Sequence, residues 1–75
     1  MSKTYTHTQG AYTARMTEDG PDCEESVVKE GEEGCIWFAS FRAACLGSAD
    51  RDEYVRVMCA SIVERYERNA AWSQL

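Results

Sequence analysis

No stretch of the chain approaches the roughly 18 consecutive apolar residues that mark a membrane span. The opening MSKTYTHTQG holds no apolar segment of the signal-peptide kind. Both absences lead to the expectation of a cytoplasmic protein that engages no membrane. Cys23, Cys35, Cys45 and Cys59 include no C-x-x-C pair, so zinc and thioredoxin-type signatures are missing. With no secretion signal, the thiols read as free and mostly buried rather than as a disulfide framework. The one histidine, His7, has no ligand-spaced companions for a metal site. No internal repeat, low-complexity tract or linker interrupts the 75 residues, which read as a single domain, 1–75. No cofactor, metal or catalytic motif is present, and the expectation is a protein that is not an enzyme.

Basic residues are scarce as well. Eight Lys and Arg stand against 13 Asp and Glu, a net charge of −5. Residues 1–16 carry Lys3 and Arg15, and residues 34–75 balance five Arg against five acids. The surplus lies in residues 17–33, where eight acids and Lys29 sum to −7. Direct nucleic-acid binding needs Lys and Arg for phosphate contacts. This balance points instead to a basic protein partner. A chain so short leaves apolar surface over, and homodimerisation is one way to hide it.

What is present is patterned. KTYTHTQGAYTARMT alternates with period two around Gln9-Gly10, read as a two-residue turn that sets Tyr5 opposite Ala14. Tyr5, His7, Tyr12, Ala14 and Met16 then share an apolar face, while Thr4, Thr6, Thr8, Thr13 and Arg15 face water. His7 on that inner face reads as a structural residue. EDGPD is turn chemistry. CEESVVKE follows either as a third strand, placed at an edge by its acids, or as a loop and a shorter strand. CIWFASFRAACLG carries two adjacent apolar stripes at helical spacing and predicts a central helix over 35–47. Glu32 and Glu33 suit its N-terminal dipole, and Gly47 its end. SADRDEYVRVMCASIVERYERNAAW predicts a second helix, capped by Ser48 or Asp50. Its buried stripe is Val55, Cys59, Ile62, Val63 and Tyr66, with Met58 at the edge, and the terminal SQL frays. The fold class expected is α+β: a small antiparallel sheet, a hairpin with an optional third strand, packed on two α-helices.

Tyr5, Tyr12, Trp37, Phe38, Phe41 and Tyr66 fit core periodicity, while Tyr54 and Trp72 fit a partner or dimer interface. Cys35 after Gly34, at the start of the expected helix, has the placement of an activated thiolate. EEGCIWF followed by EYVRVMCASIVERY, with Val55-Arg56, resembles over residues 35–72 the helical pair of the ovarian-tumour (OTU) cysteine proteases. Glu32 stands where that family has Asp, its glycine lies on the other side of the cysteine, and no histidine follows downstream. The acids before Cys35 also oppose a thiolate.

The run EDGPDCEESVVKEGEEG remains. It fails as a calcium loop, because DGPDCEESVVKE lacks ligands in register. It reads either as a solvated face or as a mimic of nucleic-acid phosphates, with Glu18, Asp19, Asp22, Glu24, Glu25, Glu30, Glu32 and Glu33 as the charges, gathered by the turn into a patch. As a whole the chain resembles the small phage-encoded anti-CRISPR proteins that act on type I surveillance complexes. That resemblance implies binding to a Cascade-like effector and blocking of target-DNA recognition. An OTU-like protease fragment and a small phage structural or assembly protein are the alternative readings.

Overall fold

Two glycines organise the first half of the chain. Gly10 and Gly20 take φ of 59° and 60°, and no other residue type adopts positive φ among the described residues. Each glycine opens a two-residue turn, Gly10-Ala11 and Gly20-Pro21, with positive φ at its first position only, the type II′ arrangement whose twist matches flanking strands. The computed structural model describes residues 2–73, with side chains through residue 70; of the SQL expected to fray, Ser73 is helical and the last two residues fall outside them, as does the side-chain environment of Trp72. The turns join β1 (Ser2–Gln9), β2 (Tyr12–Asp19) and β3 (Asp22–Lys29), and β4 (Trp37–Arg42) completes one antiparallel sheet in the order β1-β2-β3-β4.

The register differs from the expected one by a single step of the turn. Gln9 faces Tyr12, His7 faces Ala14 and Tyr5 faces Met16. A turn at Gln9-Gly10 would force Gln9 to positive φ, which a residue with a Cβ resists; moving the turn by one lets Gly10 take it. Partners shift by two residues, so the faces survive. Tyr12, Ala14 and Met16 are buried, Tyr5 and His7 are half-buried, and Thr4, Thr6, Thr8 and Arg15 are exposed.

Two expectations are corrected. First, β3 runs through the interior of the sheet, not along its edge, because β4 pairs with it from Asp22↔Arg42 to Val27↔Trp37. Second, residues 35–47 form no helix. Trp37, Ala39 and Phe41 turn inward and Phe38, Ser40 and Arg42 outward, and a short 3-10 turn, Ala43–Cys45, follows. The same apolar residues fit spacings of two and of three to four, so periodicity alone could not separate the readings. The open backbone edge of β3 decides, since its buried inner positions need a paired neighbour. The architecture is therefore a four-stranded antiparallel sheet and one C-terminal helix, where two helices were expected.

That helix, α1, spans Arg51–Ser73. Asp50 caps it, its Oδ1 accepting from the Glu53 N–H at 3.2 Å. Val55, Met58, Cys59, Ile62 and Val63 form the buried stripe, with Tyr66 packed at its border. The stripe meets Tyr12, Ala14, Met16 and Val27 in one core, and the helix lies over β1 and β2. Cys23 and Cys59 are buried free thiols, whereas Cys35 and Cys45 are exposed ones. Phe38 is 59% exposed, against its expected place in the core, because its strand position points to the open face. Met16, at 0% exposure in the centre, is the most sensitive position. Met16→Ala lowers unfolding free energy by about 2–5 kcal/mol, whereas Val57→Ala on the helix's exposed side changes it by less than about 0.5 kcal/mol; urea titrations followed by circular dichroism measure both.

Candidate acidic interface

The eight acids of the run have three different environments. Glu18, at the end of β2, faces the helix and is gripped by Arg51, Nε to Oε1 and Nη2 to Oε2, each at 3.2 Å. Arg51 also donates to the carbonyls of Gly47 and Ala49 at 2.9 and 2.7 Å. One guanidinium thereby ties the start of α1 to the sheet and to the chain leading into it. The hydrogen bond from Arg51 holds the Glu18 carboxyl below the usual carboxylate range. A bidentate pair of this kind is committed to structure.

Glu25 is more deeply committed. It lies on the inner face of β3 between Met16 and Ala39 and is 6% exposed. Its two oxygens accept from the Tyr54 hydroxyl at 2.6 Å and from Trp37 Nε1 at 3.3 Å. Burial, and then the neighbouring Glu25 carboxylate, push the Tyr54 phenol well above its ordinary range. A buried carboxylate is tolerable only with such donors. Glu25 was expected on the surface with its neighbours. Its inward place follows from strand parity, because Cys23, Glu25 and Val27 alternate with Glu24 and Ser26. That parity is visible in the sequence once β3 is taken as an interior strand; Arg51, Tyr54 and Trp37 carry no comparable signal there.

The other six acids are exposed: Asp19, Asp22, Glu24, Glu30, Glu32 and Glu33. Asp19 and Asp22 stand directly opposite each other across the Gly20-Pro21 turn, a like-charge pairing that costs stability. Asp22 lies 3.6 Å from Arg42 in a pair more than two-thirds exposed on both sides, which screens it to little effect. Glu24 projects from the open face of β3. Glu30, Glu32 and Glu33 occupy the β3–β4 loop, where Gly31 and Gly34 take φ of 87° and 73°. Glu32 accepts from the Tyr66 hydroxyl at 3.2 Å. Among the described residues Lys29 forms no ion pair with this loop; its ammonium sits 5.7 and 5.5 Å from the ring centroids of Tyr12 and Tyr66. The exposed acids thus fall into two groups at opposite ends of β3, not into one compact patch. The seven steps from Asp22 to Lys29 span about 24 Å at roughly 3.4 Å per residue.

Cys35 lies in the loop before β4, not at a helix start. His7 is on β1, at the far side of the sheet, in the row His7–Ala14–Val27–Trp37. Three strand spacings separate that histidine from β4, about 14 Å, so the imidazole is out of reach of the thiol. Among the described residues, no three His, Cys, Asp or Glu side chains are grouped to hold a metal, and no helix is long and apolar enough to cross a membrane. Compared with protein-family models, with curated proteins and with solved structures, the chain gives no significant match.

The buried network carries a pH signature. Because the fold raises the Tyr54 phenol, its contribution is fully present below the ordinary tyrosine pKa of about 10 and fades as pH rises beyond it. Urea midpoints fall between pH 10 and 11, and Tyr54→Phe flattens that fall. At pH 7 the same substitution, leaving a Glu25 oxygen short of a donor, costs about 1–3 kcal/mol.

Proposed function

We propose that the chain is a non-enzymatic inhibitor, an anti-CRISPR protein acting in the host cytoplasm. It binds a type I, Cascade-like surveillance complex through its acidic surface and blocks target-DNA binding. The observation that carries this reading is the placement of six exposed carboxylates along β3 and its two flanking turns, with the run's one lysine drawn aside onto two aromatic rings. Over a length of about 24 Å one nucleic-acid strand presents about seven phosphates; the six carboxylates approach that number, gathered at the two ends of β3. The facing carboxylates of Asp19 and Asp22 add to it, since a cationic partner relieves their repulsion. Glu18 and Glu25 drop out of the contact surface on this reading, because Arg51 and the Tyr54–Trp37 pair engage them. The partner it fits is a channel lined with Lys and Arg that otherwise holds DNA phosphates.

The test is inhibition of plasmid interference in bacteria carrying a type I system. Reversing Glu30, Glu32 and Glu33 to Lys abolishes inhibition and weakens binding to the purified complex at least about tenfold, or ~1.4 kcal/mol. Reversing Asp52, Glu64 and Glu67 on the helix makes the same change in net charge and leaves inhibition intact. Equal losses in both variants, or none in the first, contradict the assignment.

A further inference from the structure

The sheet ends at β4, and the backbone phase there is defined. The Ala43 N–H donates to the Pro21 carbonyl at 2.8 Å. The pairs in phase with it, Phe41–Cys23, Ala39–Glu25 and Trp37–Val27, are the ones that exchange hydrogen bonds in an antiparallel ladder. The N–H and C=O groups of Phe38, Ser40 and Arg42 therefore point away from β3, into the space beside the sheet. An open row of this kind is a template for another strand.

Aromatic side chains flank this edge on both sides. Phe38, 59% exposed, stands on the open face. On the helix side Trp37, Ala39 and Phe41 are only half-buried: α1 lies mainly over β1 and β2 and reaches β4 at its border, where the Tyr54 ring lies 6.0 Å from that of Phe41. A groove of about 180 Å³, lined by Ile36, Trp37, Ile62 and Tyr66 together with Arg65 and Asn69, marks the partly uncovered strip. The opposite edge, β1, differs. Its outward backbone groups belong to Ser2, Thr4, Thr6 and Thr8, and α1 covers its inner side. Hydroxyl-bearing, covered β1 has little to gain from a partner, and half-covered β4 has more.

We infer that β4 is the seam of a homodimer, pairing antiparallel with β4 of a second copy about Ala39. The strand is self-complementary in that register. Trp37 of each copy comes opposite Phe41 of the other, with the two Ala39 residues between them. These are the pairs without mutual hydrogen bonds, where side chains approach most closely, and aromatic pairs there are favourable. Phe38 comes opposite Ser40 of the second copy, the pair that exchanges backbone hydrogen bonds on each side of the seam; the free edge ends before Ile36, whose N–H turns back to the Val27 carbonyl at 2.8 Å. Arg42, the strand's one charge, lies beyond that pair and keeps Asp22 of its own chain at 3.6 Å, and no like charges face each other across the seam. The product is an eight-stranded sheet with a helix on each half, the aromatic strips joined between them. An isologous contact of this kind closes after two copies.

This inference is independent of the acidic-surface reading, and salt separates the two. Each copy carries −5, so raising salt strengthens self-association, whereas it weakens docking on a basic partner. Sedimentation equilibrium of the full chain should give twice the 8.5 kDa monomer mass, more completely at 0.5 M than at 0.05 M salt. Ser40→Pro removes an outward N–H and none that bonds β3; it weakens the dimer at least tenfold with unchanged circular dichroism. Ser40→Lys, which charges the edge without touching the backbone, does the same if the proline variant unfolds. Ala39→Cys, with Cys35 and Cys45 changed to Ser, cross-links on oxidation, since Cα atoms in such a pair lie about 4.5 Å apart. A chain that stays monomeric to millimolar concentration overturns the inference. So does a dimer that survives both Ser40 variants and forms no Ala39→Cys cross-link.

Discussion

Gly10 and Gly20 set the register from which the rest of the molecule follows. A one-residue slip in strand pairing, as a turn one residue longer or shorter would cause, would rotate Ala14 and Met16, or Cys23 and Val27, out of the core, because successive strand residues point to opposite faces. With the turns where they are, β2 presents Tyr12, Ala14 and Met16 inward and β3 presents Cys23, Glu25 and Val27 beside them. The same parity that buries Val27 also buries Glu25, and the fold answers with the Tyr54 hydroxyl and the Trp37 indole. Those two donors come from α1 and β4, so a single carboxylate links the helix, the central strand and the edge strand. Arg51 makes a second link where the helix begins.

Much of this was legible in the sequence. Alternation placed every inward residue of the first hairpin correctly even though the turn moved by one, because the shift preserves parity. The helix was legible from Asp50 at its cap and from the spacing of Val55, Cys59, Ile62 and Val63. Residues 35–47 were not, because Trp37, Phe38 and Phe41 satisfy two periods at once, and what chooses between them is the backbone edge of β3, a fact of tertiary structure. Glu25 was missed for a related reason. A carboxylate in a dense acidic run reads as surface charge until the strand is known to be interior, and only then does its parity with Cys23 and Val27 count.

The acidic run itself resolves into parts with different duties. Glu18 and Glu25 hold elements together, and Asp19, Asp22, Glu24, Glu30, Glu32 and Glu33 face solvent at the two ends of β3 and along it. Burial of one face and display of the other follow from the same two-residue period, so charge enough to repel a compact fold is carried without crowding the core. The edge of β4 is the second feature the fold leaves open, and its chemistry is the opposite: backbone groups, aromatic rings and one arginine. A domain of 75 residues with one helix cannot cover both faces of four strands, and what remains uncovered is where contacts with other chains are to be sought.

On the proposed function, the exposed carboxylates occupy the place of DNA phosphates on a basic effector. Its most direct test is displacement of fluorescently labelled target DNA from a purified type I surveillance complex, titrated with this chain across a range of salt. If the carboxylates stand in for phosphates, the chain competes with DNA for the complex, one excluding the other, and its own affinity falls steeply as salt rises. Simultaneous binding of chain and DNA, or an affinity indifferent to salt, would contradict it.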